Sequence, residues 1–248
     1  MGRHERVAAL ALPAGRADSA AGGVVAALGC GSGRVVRALL DRGPAVVHAI
    51  DHVSALDDDL LADARVRSRI ADLDDRLPLP DGALDAATSL NVAEHLDDPV
   101  AHLLDCHRVL RPGGRLVLAH SDWDTALFTS TDDALTRVLV DAFVDVRPSW
   151  VGRTDGFMGR KLLALADACQ ERGARFDLET VDAWADPHRR FDDGSVAWKV
   201  AMGMLASARD DDDLAARAAG WVEGLRRLAD AGQFLFTVTD VAVVLRRR

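Results

Sequence analysis

The chain has 248 residues, a formal charge of −9 and 49% hydrophobic residues, enough apolar material for a sizeable α/β core. Its only basic cluster is the terminal Arg246-Arg247-Arg248, which disfavours a nucleic-acid partner. The apolar runs fall short of the ~20 residues of a membrane helix, and three scattered cysteines, Cys30, Cys106 and Cys169, suggest neither a disulfide framework nor a zinc site, so we expect a cytoplasmic protein without metal or membrane partner.

Residues 1–22 are rich in small residues, and Pro13 and Gly15 break any long helix there. Val24-Val25-Ala26-Ala27-Leu28 then reads as a buried parallel strand that stops at Gly29-Cys30-Gly31-Ser32-Gly33. Apolar residues at 35, 36, 39 and 40 have helical spacing, so the glycine loop opens a helix whose free N–H groups point back at it. Strand, glycine turn and helix make a ligand cradle. A dinucleotide fingerprint would have its third glycine at position 34, and this chain has Arg34, which disfavours a nicotinamide oxidoreductase.

Ala45–Ile50 reads as a second buried strand ending at Asp51, where a carboxylate can accept ribose hydroxyls or, alternatively, cap a helix around 54–64. His52 follows it, facing an adenine edge or water. A third strand is expected at Val66–Ala71, ending in Asp72-Leu73. The stiff turn Leu77-Pro78-Leu79-Pro80-Asp81-Gly82-Ala83-Leu84-Asp85 leads to a fourth strand, Ala86–Asn91. Glu94-His95-Leu96 comes next. A helix from Pro99 to Leu110 is expected to end at Arg111-Pro112, with Gly113 and Gly114 supplying a left-handed turn before a fifth strand, Arg115–His120.

Gly29-x-Gly31-x-Gly33, the Leu-Pro-x-Pro-Asp-Gly turn and above all Arg108-Val109-Leu110-Arg111-Pro112-Gly113-Gly114, in this order across 24–121, resemble the class I S-adenosylmethionine (SAM) dependent methyltransferases of the ubiquinone and menaquinone biosynthesis type. The resemblance implies a Rossmann-like α/β fold. Its mostly parallel seven-stranded sheet has the order 3-2-1-4-5-7-6, the last strand antiparallel, with helices on both faces. It also implies that Gly29, Cys30, Gly31 and Gly33 line the methionine end of SAM, that Asp51 takes the ribose with His52 beside it, that Asp72 and Leu73 flank the adenine, and that Asn91 and Val92 lie under the sulfonium. For Asp72 and Asp85 the alternative is loop and turn chemistry, preferred for Asp85. One position departs from the family pattern: an acidic residue is usual two positions before the first glycine, and here it is Ala27.

Beyond this core, His120-Ser121-Asp122-Trp123-Asp124 is expected just after the fifth strand. Helices follow at 131–143 and 156–172 around an elbow at 147–152, then a strand at Phe176–Ala185, helices at 193–208 and 214–229, and a last strand at 233–245. Asp210–Asp213 reads as a solvated turn and helix cap. We therefore expect one domain over 1–248: a SAM-binding core at 24–121, a helical insertion at 124–172 that covers the pocket, and C-terminal strands and helices at 174–248. Homodimerisation stays open. His95 and His120 are the candidate catalytic bases, since each follows or ends a strand and an imidazole suits proton uptake near neutral pH; a structural hydrogen bond is the alternative for each. Asp122 and Trp123 suit an amine acceptor by charge and ring face. The expected function is methyl transfer to a small-molecule acceptor at O, N or C. A catalytically silent SAM-binding module is the alternative, motivated by Ala27 and the short N-terminal arm.

Overall fold

The computed structural model describes residues 1–13, 22–53, 55–145 and 155–248; the expected elbow at 147–152 and helix start at Ser54 lie outside the described residues. α1 (Arg3–Ala11) ends before Pro13, which cannot continue it. β1 (Val24–Leu28), α2 (Arg34–Leu40), β2 (Val46–Asp51), α3 (Asp58–Ala62) and β3 (Val66–Ile70) follow in strict alternation. β4 (Leu84–Leu90), α4 (Pro99–Val109), β5 (Leu110–Phe128), α5 (Asp133–Val144), α6 (Met158–Glu171), β6 (Phe176–Ala185), α7 (Val196–Ser207), α8 (Asp212–Asp230) and β7 (Phe236–Arg247) complete the chain. The strands form a seven-stranded sheet in the order β3-β2-β1-β4-β5-β7-β6, with one antiparallel pair, as the sequence leads one to expect. β1 pairs parallel with β2 and β4, so its small buried residues Ala26 and Ala27 lie at the sheet's centre with Ala49 and Thr88 as Ala27's neighbours. Runs without alternation suit a strand covered on both faces.

Two expectations are corrected by the sheet. α3 is a short helix that starts at Asp58 with Asp57 at its N-cap, not a long one from 54. β5 begins at Leu110 and runs to Phe128, so His120-Ser121-Asp122-Trp123-Asp124 lies inside a strand rather than beyond its end. The glycines explain the early start. Leu84 pairs with Leu110 and Ala86 with Arg115, so Arg111–Gly114 is looped out of the ladder. Gly113 takes a left-handed φ of 81°. Gly114 has an ordinary φ, and glycine is required there for another reason: a Cβ would stand 2.9 Å from the Arg111 carbonyl oxygen and 3.1 Å from that of Leu84.

The described residues group into two compact units: Met1–His120, Arg160–Ala183 and Val241–Arg248 form one, Ser121–Gly159 and Trp184–Asp240 the other. In the first, α1 packs on α2 and β4. Asp85 is a turn residue, as preferred: it accepts the Val24 N–H at 2.7 Å and pairs with Arg111, pinning the start of β1. Arg108 has a larger role than its place in the Arg-Pro-Gly-Gly element suggested. Its guanidinium donates to both Asp105 oxygens (2.6 and 3.0 Å), to Asp81 (2.7 Å) and to the carbonyls of Leu79 (2.8 Å) and Leu77 (3.0 Å), fastening the proline turn to α4. The terminal arginines are also structural. Arg247 donates to the carbonyls of Arg108 and Leu110 at the end of α4, and Arg248 pairs with Asp177.

In the second unit α5, α7 and α8 gather around Phe128, whose ring lies 4.5 Å from that of Phe236 and 5.2 Å from Trp221. Burying such rings contributes ~1.5–3 kcal/mol each. The Trp221 indole N–H is satisfied by Thr136 Oγ1 at 2.8 Å. Gly203 of α7 is small because Phe143 of α5 lies against it; a Cβ would be 2.7 Å from that ring. The acidic run behaves as expected: Asp211 caps α8 by accepting the Leu214 N–H at 3.0 Å, and Asp212 and Asp213 sit in the first turn, where the helix dipole favours negative charge.

Candidate cofactor site

β1 ends in a loop whose three glycines all have left-handed φ: 65° at Gly29, 50° at Gly31 and 93° at Gly33. They serve different ends. A Cβ on Gly29 would stand 2.3 Å from Val92 Cγ2, and 3.8 Å from Leu73 Cδ1, so the backbone there meets Val92 and Leu73 directly. A Cβ on Gly33 would stand 2.2 Å from Leu60 and 2.7 Å from Leu56. A Cβ on Gly31 would meet nothing within 4 Å. That open flank, backed by a backbone without a side chain, is where a ligand can approach the loop.

The loop's N–H groups are held from β2. Gly29 and Cys30 donate to the Ile50 carbonyl at 2.8 and 3.2 Å, and Gly33 closes the turn onto the Cys30 carbonyl at 2.9 Å. Gly31 donates to Asp51 Oδ2 at 2.7 Å. The other Asp51 oxygen lies 2.8 Å from His52 Nδ1, with Asp51 buried and His52 exposed. Burial, and then the Asp51 charge, push the Cys30 thiol up to about 11, so Cys30 is an inert wall residue. Ala27 lacks a carboxylate, and the Gly31 N–H is accepted by Asp51.

Leu73 and Val92 are both buried and come together at Gly29. Leu73 is fixed from below: its carbonyl lies 3.1 Å from Nδ1 of His102, a buried histidine of α4 whose proton affinity burial lowers. Asp72 is exposed and accepts the Asp74 N–H at 3.0 Å, the turn chemistry given as its alternative. Asn91 follows β4 with a φ of 55°, the only positive φ of a non-glycine among the described residues. Asparagine tolerates this region better than most residues, and a left-handed residue held at a strand's carboxyl end is the kind of strain that accompanies ligand sites.

A 3-10 turn, Ala93–His95, continues from Val92, closed by the His95 N–H on the Val92 carbonyl at 2.9 Å. It turns Glu94 inward, with its side chain 5% exposed. Glu94 Oε1 lies 3.4 Å from His95 Nε2 and 3.7 Å from His120 Nε2. His95 is 32% exposed and His120 1%, so the two candidate bases differ sharply in access. Burial, and secondarily the neighbouring His52, lower the proton affinity of His95. The structure thus brings Glu94, His95 and His120 together. Glu94 was passed over in the sequence because nothing there shows that it faces inward between two histidines.

In the second unit, Asp122 is buried and Trp123 packs edge-on against Phe143 at 5.8 Å. His188 lies in a groove of about 720 Å³ running from Pro187 to Val196, and its backbone pairs with Phe236. Among the described residues no group of His, Cys, Asp or Glu could hold a metal ion, and no helix is long and apolar enough to cross a membrane.

Residues 26–118 match the family described as Methyltransferase domain. A ubiquinone biosynthesis O-methyltransferase of Xanthomonas oryzae is 32% identical over 117 residues, 44% of this chain and 47% of that protein. An uncharacterised 37.1 kDa protein in transposon TN4556 of Streptomyces fradiae is 39% identical over 94 residues, 36% of this chain and 25% of that one. The chain thus spans less than half the length of these curated relatives. Among solved structures, a geranyl diphosphate methyltransferase in complex with SAM superposes over 99% of this chain and 84% of its own, with a TM-score of 0.54 at 18% identity. That likeness is one of fold.

Proposed function

We propose that this chain, whose residues 26–118 are a methyltransferase domain, transfers a methyl group from SAM to a small-molecule acceptor at O, N or C. The observation that carries the reading is the cradle itself. Gly31 is open on its ligand side and held from behind by Asp51, while Leu73 and Val92 close the apolar flank at Gly29. These residues fit SAM. Gly29, Cys30, Gly31 and Gly33 would line its methionine end. Asp51 would face its ribose, since each carboxylate oxygen already in use keeps a second acceptor direction. His52, Asp72 and Leu73 would flank the adenine, and Asn91 and Val92 would lie by the sulfonium. When bound, SAM supplies an electrophilic methyl group, and much of the acceleration of its in-line displacement comes from alignment.

What the chain itself supplies is positioning and proton handling. The loop N–H groups of Gly29, Cys30, Gly31 and Gly33 all have acceptors without an acid at position 27, which supports a working cradle over a degraded one. Of the two candidate bases, His95 is partly exposed and His120 enclosed, although His95 Nδ1 is itself buried and its Nε2 faces Glu94. We assign acceptor choice to residues outside 26–118, where the family match ends. Isothermal titration with SAM, S-adenosylhomocysteine and NAD tests the reading. Heat with the first two in the micromolar range and none with NAD is expected; no heat at millimolar SAM overturns it.

A further inference from the structure

We propose that His52 is a positioning residue for cofactor binding: its imidazole presents Nδ1–H to Asp51 Oδ1 and so fixes the carboxylate that would face the ribose. The inference rests on the methyltransferase reading and deepens it by naming what holds the ribose acid, and through which atom. The chain bends at His52-Val53 directly after β2 (Val46–Asp51). In a continuing strand the side chains of Asp51 and His52 would point to opposite faces; the bend lets the ring fold back onto the acid before it. Asp51 Oδ1 and His52 Nδ1 lie 2.8 Å apart, and Asp51 Oδ2 takes the Gly31 N–H at 2.7 Å. The two donors therefore reach different oxygens of one carboxylate.

An ionised carboxylate oxygen can only accept, so the imidazole nitrogen 2.8 Å from it carries the hydrogen. Neutral His52 is then the Nδ1–H tautomer, with its lone pair on Nε2. Asp51 needs such a partner. Its side chain is only 10% exposed, and a carboxylate withdrawn from water is costly unless donors compensate it. Held by Gly31 alone, the carboxylate could turn about its Cβ–Cγ bond, and each bond to a ligand would lose part of its strength to ordering it. With a donor on each oxygen, its plane is set before a ligand arrives. One acceptor direction on each oxygen then stays available, which matches the two neighbouring hydroxyls of a ribose. His52 is itself 57% exposed, so its ring can be replaced without opening a cavity in the core.

The test uses the full chain. In ligand-free wild-type protein, ¹H–¹⁵N NMR of the side-chain nitrogens, assigned with His52→Asn, is expected to show neutral His52 as the Nδ1–H tautomer; the Nε2–H tautomer overturns the proposal. Calorimetry with S-adenosylhomocysteine then asks whether the contact acts on binding. His52→Ala is expected to weaken affinity about three- to fivefold, the range of a charged contact partly open to water, with little change in melting temperature. His52→Asn, whose side-chain N–H can stand in for Nδ1–H, is expected to recover most of that loss. In the Asp51→Ala background, His52→Ala is expected to change affinity by less than about twofold, because no carboxylate is left to hold. A larger change there shows the ring acting on the ligand directly and overturns the proposal, as does unchanged binding when Asp51 is intact. Should Asp51→Ala fail to fold, the asparagine variant decides: one that binds as weakly as His52→Ala overturns the proposal. Wild-type protein that binds neither SAM nor S-adenosylhomocysteine at millimolar concentration sinks the methyltransferase reading, whatever the tautomer of His52.

Discussion

The N–H of Gly31 lies 2.7 Å from Asp51 Oδ2, so the acid at the end of β2 braces the glycine loop before any ligand arrives. In the proposed reading, the residue that shapes the loop is also the one that would take the ribose. Asp51→Ala is expected to weaken SAM binding by about 1.5–3 kcal/mol, the range for a hydrogen bond to a charged group, and to lower the melting temperature too. Asp51→Asn should lose less stability than Ala, because its side-chain oxygen can still accept from Gly31. Calorimetry and thermal melts on the two variants check this; equal effects of Ala and Asn on stability would show that the brace contributes nothing.

The same contact fixes what an acid at position 27 would do. Ala27 is fully buried between Ala49 and Thr88, and the N–H groups of Gly29, Cys30, Gly31 and Gly33 are already accepted by Ile50, Asp51 and Cys30. Ala27→Asp therefore buries a carboxylate beside four loop N–H groups that already have acceptors. We expect a loss of stability on the order of 3 kcal/mol and no gain in SAM affinity. A variant that melts higher and binds SAM more tightly would show that the loop N–H groups can be recruited from Asp51.

How much of this was legible in the sequence depends on the range of the contact. The sheet order was readable because each strand is announced by an apolar run and each turn by Gly, Pro or Asp. The β5 start was misplaced because Gly114 looks like a turn glycine, and only the nearby carbonyls of Arg111 and Leu84 show that close packing requires it. Asp51 stands out in the sequence from its place at the end of the β2 run, but its bond to Gly31 joins a strand end to a distant loop and leaves no local pattern. The burial of Glu94 and His102 was invisible for the same reason: inward direction is a property of the fold.

Arg108 offers a test of the turn that feeds β4. Its guanidinium joins Asp105, Asp81 and the carbonyls of Leu77 and Leu79 in a setting where Arg108 and Asp105 are mostly buried. The Asp81 arm is exposed and contributes little. Arg108→Met keeps the apolar stem and removes the donors, leaving the Asp105 charge without that partner. A destabilisation of about 2–4 kcal/mol is expected, read from urea unfolding, and a change under 0.5 kcal/mol would remove Arg108 from the scaffold.

Acid should unfold the first unit early. Burial, followed by the charge of Arg3, brings His4 down to about 4, and burial is also the leading cause of the lowered values of His48, His95, His102 and His107. A histidine whose folded pKa is depressed binds its proton more readily in the unfolded chain. Stability is then fully present above about pH 6.5 and falls as pH drops through the folded values. The melting temperature is expected to be roughly 5–10 °C lower at pH 5 than at pH 7.5, and His102→Gln, which keeps a donor for the Leu73 carbonyl, should flatten part of the slope. A melting temperature constant across that window would contradict the lowered proton affinity of these partly or fully buried rings.

The three loop glycines separate packing from ligand approach. Alanine at Gly29 would drive a methyl group to 2.3 Å from Val92, and at Gly33 to 2.2 Å from Leu60, so both variants should lose stability through overlap as well as through their left-handed φ. Alanine at Gly31 meets nothing within 4 Å, and its φ of 50° lies in the left-handed region, which costs an alanine only ~1–2 kcal/mol. Gly31→Ala is therefore expected to fold with a modest drop in melting temperature. Its methyl group, however, fills the one open flank of the cradle. If SAM lies there, affinity should fall at least tenfold in Gly31→Ala, well beyond what its small loss of stability predicts. Melting curves and SAM titrations on all three variants give the answer together. Should Gly31→Ala bind SAM as tightly as the unaltered chain, the open flank is solvent, and the ligand must enter the loop from another side.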